Sequence, residues 1–216
     1  LVRFEKSEAY KAGYPDAGFG LVLIEGCTNP DNPEGFDAHK RKLLRMMRKR
    51  ATLAEITGRI ETYAAYFERF GYPCPLVDHL KRTINSGFPR YNLLVDCHFM
   101  AEMCAGILVA VTDFDCFEGK LTLDLAREGE VCSGMGGREF RTQEGEIVLR
   151  DEEDIVCVLC QGADEKTRAR PDTKNVLFYA YAVPGIGPEH LQEGLETAAE
   201  AVESFGGGVS RGVHVF

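Results

Sequence analysis

The chain has 216 residues, of which 44% are hydrophobic, and a net charge of −9, enough apolar material for one large domain or for a core with an appended helical part. No run of 18 apolar residues occurs and no charged-then-apolar leader pattern opens the sequence. Nothing in it points to a membrane span or to export, and the expected location is the cytoplasm.

Eight cysteines in such a chain read as reduced thiols. The sole C-x-x-C, Cys157 to Cys160, sits in the apolar run IVCVLC. On a strand, an offset of three turns two sulfurs to opposite faces, which suits neither one metal ion nor a redox pair. Buried structural cysteine is the expected role. The charge is uneven: residues 1–90 balance to +4 and residues 91–216 to −13. Much of the positive half is HKRKLLRMMRKR, in which Lys40, Arg41, Lys42, Arg45, Arg48, Lys49 and Arg50 meet no acid. Such a block either holds nucleic-acid phosphates or is the solvated face of a helix whose apolar side is Leu43, Leu44, Met46 and Met47.

Residues 1–14 show no clear period. GFGLVLIEGCTN (18–29) predicts a short apolar strand and a turn, and PDNPEG (30–35) a loop. The basic helix is expected from about Phe36 to Arg50. A second is expected from Thr52, where T-L-A-E sets Glu55 as a capping-box partner. Leu53, Ile56, Ile60, Tyr63, Phe67 and Phe70 form its buried stripe, and Gly71 stops it. Pro73 and Pro75 break the chain before a short helix over 76–87, and PRYNLLVDCHFMAEMC predicts another from about Asn92 to Cys104.

From Gly106 the period shortens. ILVAV, KLTLDLA, REFRT, EIVLR, DIVCVLC and NVLFYAYAV predict about six strands, largely antiparallel, with REFRT, EIVLR and DIVCVLC as a meander. A last helix is expected over Glu189–Phe205, and RGVHVF reads as an edge strand or a loose tail. The expected fold is α+β: a β-rich module with N-terminal helices and a C-terminal helix packed on it. Its expected divisions are 1–88, 89–205 and a tail at 206–216, within one compact unit.

No familiar nucleophile or phosphate motif is present: G-x-S-x-G, the Walker loop and G-x-G-x-x-G between strand and helix are all missing. GMGGREF (134–140) precedes a strand and reads as a turn. Asp113 and Asp115 lack the ligand spacing of a calcium loop and read as turn formers. No metal or cofactor is expected.

The order of certain pieces carries a resemblance over residues 15–205 at most. Pro89-Arg-Tyr-Asn92-Leu-Leu-Val-Asp96 is followed by Phe114-Asp115 before Gly119-Lys-Leu-Thr-Leu, and then by the Arg127-Glu-Gly-Glu130 turn and EIVLRD. Gly162 to Thr167 then leads into Asp172-Thr173-Lys-Asn175-Val-Leu. This succession resembles the editing-site (B-three/B-four, tRNA-binding) domain of the phenylalanyl-tRNA synthetase beta subunit. The helices with FGYPCPLVDHLKR look more like its free-standing relatives.

The resemblance implies a pocket that receives the aminoacylated end of a tRNA and hydrolyses the ester of a wrong amino acid. Held water and polar groups for the oxyanion suffice for that chemistry, so the lack of a Ser–His–Asp set is no obstacle. On this reading His98, Glu165 and Thr173 are the catalytic candidates. Asn92, Asp96, Thr112, Asp113, Asp115, Gly136, Asp164 and Asn175 are the substrate-binding candidates, and the basic block contacts tRNA. The sequence departs from the family at Thr112, where the synthetase domain has a histidine. His98 is the nearest substitute, and reads either as a pocket group or as a core or surface histidine. Thr173 reads as a pocket hydroxyl or a strand-start residue. The expected activity is deacylation of mischarged tRNA in trans. The alternative is a non-catalytic module of the same fold that binds RNA or an amino acid.

Overall fold

The structure is a computed structural model that describes residues 2–216, so Leu1 of the aperiodic opening stretch lies outside it. The rest of that stretch forms a strand, β1 (Phe4–Lys6), and a short helix, α1 (Glu8–Gly13). Ser7 starts the helix: its Oγ accepts from the Tyr10 amide at 3.0 Å and donates to Asp124 at 2.6 Å. The apolar strand follows as β2 (Phe19–Glu25), buried up to its last residue.

The basic run makes α2 (Phe36–Met47), shorter than expected because the chain turns at Arg48, whose amide bonds back to Leu44. Helix α3 (Arg50–Glu68) begins at once. The capping box at Thr52 goes unused, since the Lys49 carbonyl already accepts from the Leu53 amide at 2.9 Å and places Thr52 inside the first turn. Of the expected stripe, Ile56, Ile60, Tyr63 and Phe67 are buried and Tyr66 joins them, while Leu53 and Phe70 are half-buried. Pro75 opens α4 (Pro75–Ser86) and Gly87 follows it.

Helix α5 (Leu93–Ala105) starts where Asn92 Oδ1 accepts from the Val95 amide at 3.0 Å. It ends at Gly106, whose φ is +64° and where a side chain would meet the Ile56 carbonyl at 2.9 Å. Glycine there serves both the left-handed cap and the close approach of α5 to α3. The chain continues through β3 (Leu108–Asp113), β4 (Leu121–Leu125), β5 (Val131–Gly134), β6 (Arg138–Arg141), β7 (Ile147–Arg150), β8 (Ile155–Val158), β9 (Gly162–Ala163) and β10 (Val176–Tyr181). It closes with α6 (Pro188–Gly206) and β11 (Val209–Val215).

Two sheets carry the fold, ordered β1-β4-β7-β8-β9 and β11-β2-β10-β3, with β5 and β6 as a separate ribbon. All pairings are antiparallel except β1 with β4. The fold is therefore α+β, as the periods predict. The expected meander needs correction. REFRT pairs with β5 rather than with EIVLR, because Gly136 and Gly137, both at positive φ, fold it straight back as a hairpin. EIVLR and DIVCVLC do pair, and β4 takes the place assigned to REFRT. IVCVLC is also a shorter strand than it reads. It ends at Val158, so Cys160 sits in the following turn and the opposite-face reasoning does not reach it. All eight cysteines are free thiols. The tail is an edge strand, β11 on β2.

One apolar cluster extends from Tyr10 to Val202, with residues of both sheets and most helices in it. Within it α5 packs chiefly against α6. No helix among the described residues is long and apolar enough to cross a membrane.

Candidate functional site

A cleft of about 980 Å³ opens between the helical side of the molecule and the sheets. Its first wall is α5 with the turn before it: Tyr91, Asn92, Val95, His98, Phe99 and Glu102. Leu108 to Val111 of β3 and Cys157 and Leu159 line it from the sheets. The second wall is the β5–β6 ribbon, with Met135, Arg138 and Phe140, and a loop carrying Arg168 and Arg170. The lining is mostly apolar with a few convergent polar groups, the make-up of a small-ligand site.

The chief polar group of the first wall is a buried carboxylate between two imidazoles. Glu102 stands four residues after His98, one helical turn on, so both project from the same face of α5. Glu102 Oε1 lies 3.3 Å from His98 Nε2, and Oε2 lies 3.0 Å from Nδ1 of His79 on α4. Burial by itself would raise the Glu102 carboxyl, but the two imidazoles outweigh it and hold it at about 2. Burial would likewise lower His98, yet Glu102 and the Val109 carbonyl leave it raised above its ordinary value. His98 Nε2 is 2.9 Å from that carbonyl. A carbonyl can only accept, so the proton sits on Nε2 and the lone pair of the neutral ring on Nδ1. Phe99 stands edge-on to both imidazoles at 4.9 Å, and Tyr91, 60% exposed, stacks on Phe99 at 6.1 Å.

Of the residues singled out in the sequence, the structure puts His98 and Asn92 on the cleft. Glu165 does not line it; its carboxylate accepts from the Gly136 amide of the ribbon tip at 2.9 Å and pairs with Arg168 of the cleft at 3.2 Å. Thr173 is buried and latches the arginine loop: its Oγ1 donates to Asp113 at 2.6 Å and accepts from the Arg170 amide at 2.8 Å. Asp164 is buried, raised by that burial, and bonded to Thr167. Thr112 is also buried and donates to the Leu177 carbonyl. Asp115 accepts both of its bonds from Asn175, whose Oδ1 holds the Gly26 amide. These contacts make Asp113, Asp115, Thr112, Asp164 and Asn175 braces of the walls. None of the five lines the cleft. Asp96 is wholly buried and accepts from Lys40 at 2.7 Å and from the Tyr91 amide at 2.9 Å.

Lys40 is thereby turned inward, 5% exposed, and drops out of the solvent-facing basic set. Arg41, Lys42, Arg45, Arg48, Lys49 and Arg50 remain exposed, with Arg48 donating to the Ile84 carbonyl of α4. None of them lines the cleft. Among the described residues, no group of three or more His, Cys, Asp or Glu is placed to hold a metal ion.

The family model of the B3/4 domain matches residues 74–207, well over half of the chain. The chain belongs to the B3/4 domain family. No curated protein matches it. Among solved structures it is similar to the crystal structure of an N-terminal fragment of the phenylalanyl-tRNA synthetase beta-subunit from Pyrococcus horikoshii, with a TM-score of 0.52 and 16% identity. That alignment covers 97% of this chain and 50% of the fragment, so the chain spans half the fragment's length. At such identity the likeness concerns the fold.

The B3/4 match contains the whole cleft except Phe67, Tyr72 and Pro73, and it leaves out β2 and the basic helix α2. Sequence reasoning missed His79, Glu102, Arg138, Arg168 and Arg170. For Glu102 a signal existed: it is an acid in the apolar run FMAEMCAG, at helical spacing from His98. For His79 and the arginines none did, because separate elements bring them to the cleft.

Proposed function

We propose that this B3/4 domain binds the aminoacylated end of a tRNA in the cleft and hydrolyses the ester of a mischarged amino acid. The observation that carries the reading is His98, with Nε2 tied down and Glu102 behind it, on an apolar cleft whose other wall carries Arg138, Arg168 and Arg170. An ester needs a water held and deprotonated beside its carbonyl, and neutral His98 offers Nδ1 for that proton. The water oxygen bonds to the carbonyl carbon, the bond to the ribose oxygen breaks, and that oxygen takes up a proton. Glu102 steadies the imidazolium formed meanwhile, and the arginines favour the developing oxyanion and neighbouring phosphates. The apolar lining accommodates the amino-acid side chain. The exposed cations of α2 supply a phosphate contact outside the cleft.

The test is a panel of correctly and incorrectly charged aminoacyl-tRNAs, followed for loss of the amino acid with the wild-type protein, His98→Ala and His98→Gln. Faster hydrolysis of one misacylated species is expected, slowed about 100-fold or more by either substitution. The rate should climb with pH as His98 gives up its proton, at a pH above the ordinary histidine value. A full panel without acceleration, while ligands still bind, assigns the cleft to a non-catalytic module.

A further inference from the structure

Asn29 lies just past β2, outside the stretch the family matches, and is 7% exposed. Its carboxamide spans the two walls of the cleft. Oδ1 accepts from the Leu94 amide in the first turn of α5 at 3.0 Å, and Nδ2 donates to the Arg170 carbonyl at 3.0 Å. The two partners fix the orientation of the amide, since a backbone N–H only donates and a carbonyl only accepts. The backbone around Asn29 is anchored on every side. Gly26 bonds to Asn175, Cys27 to Lys174, Thr28 to Gly206, and the Pro30 carbonyl to the Leu93 amide. Residues 26–30 thus form a bracket. Among the described residues, Asn29 is its only side chain that hydrogen-bonds the arginine loop.

Elsewhere that loop is held by the Arg168–Glu165 ion pair at 3.2 Å, by the Arg170 guanidinium on the Cys116 sulfur at 3.8 Å, and at its two ends. A ladder bridge joins Arg168 to Thr112 at one end, and Thr173 holds the other through its hydroxyl and through its own amide, 3.2 Å from the Arg170 carbonyl. We propose that Asn29 is a positioning residue for the cleft: it sets the arginine loop at a fixed separation from the helix bearing His98. A bound ester then meets His98 and the arginines together. The catalytic consequence rests on the deacylase reading given above, whereas the mechanical one stands apart from it.

Two variants probe this by hydrogen–deuterium exchange, corrected for intrinsic rates, beside deacylation kinetics. Asn29→Asp keeps the acceptor for Leu94 but sets a carboxylate against the Arg170 carbonyl, and acidification restores a donor by protonating it. Asn29→Leu removes both bonds. At about pH 8 the amides of residues 168–173 should exchange about tenfold faster in Asn29→Asp, with β2 and β10 unchanged, and the excess should shrink as the pH is lowered. kcat/KM should fall by a similar factor. Unchanged loop exchange, or acceleration spread evenly over the chain, overturns the proposal. Should Asn29→Leu not fold, Asn29→Asp decides alone. Should the wild-type protein deacylate nothing, the deacylase reading falls and the exchange result still decides the role of Asn29.

Discussion

Replacing Glu102 with glutamine keeps the shape of the side chain and removes the charge between His79 and His98. A carboxyl held at about 2 instead of near 4.5 is favoured as the anion in the folded chain by ~3 kcal/mol. Glutamine retains part of the hydrogen bonding, so a loss of ~2 kcal/mol is expected, lowering the Tm by about 5 °C in a chain of this size. The sign of the pH dependence follows from both partners. The depressed Glu102 contributes stability above its unfolded value near 4.5, and that contribution fades as the pH drops toward 2. The raised His98 contributes stability below its ordinary 6.5, and loses it as the pH climbs through its higher folded value. The Tm difference between wild type and Glu102→Gln is therefore largest between about pH 4.5 and 6.5 and narrows on either side. Thermal unfolding across pH measures this, and histidine NMR titration should show the His98 pKa falling in the variant. A Tm difference that is flat with pH, or that widens toward alkaline pH, refutes the electrostatic account.

Lys40→Ala should strand Asp96 in the core and cost ~3 kcal/mol by denaturant unfolding, with tRNA affinity per folded molecule unchanged. The triple change Arg45, Arg48 and Arg50→Ala should do the opposite, leaving stability within ~1 kcal/mol and lowering the slope of log affinity against log salt by up to about 3. An unchanged slope removes Arg45, Arg48 and Arg50 from the RNA surface. Thr173→Val should cost ~2 kcal/mol, since it leaves Oδ2 of the buried Asp113 without its donor while Oδ1 keeps the Asp115 amide, and Thr173→Ser should restore most of it.

Much of the fold could be read from local chemistry. Asn92 begins α5, Pro75 and Gly87 bound α4, and the six apolar runs after Gly106 all become strands. Errors arose where a local signal met a stronger neighbour. The Thr52 cap lost to a helix that had already started at Arg50, and REFRT was taken by the hairpin its own glycines permit. The site was less legible. His98 stood out as a lone histidine, but its partners come from α4 and from a turn further along α5. Most of the carboxylates and hydroxyls read as pocket groups hydrogen-bond within the walls instead, because a short polar side chain beside a strand end bonds equally well to neighbouring side chains and backbone of its own wall.

The order of the second sheet bears on how the chain can assemble. Strand β2 lies between β10 and β11, so neither neighbour exists until residues 176–181 and then 209–215 have been made. During synthesis its run of Leu21, Val22, Leu23 and Ile24, all buried in the finished molecule, has both edges open while the rest of the chain emerges. Pairing of such sequence separation is slow, and exposed apolar edges aggregate. For this chain the hazardous interval in folding is long, and it ends only when the last strand docks.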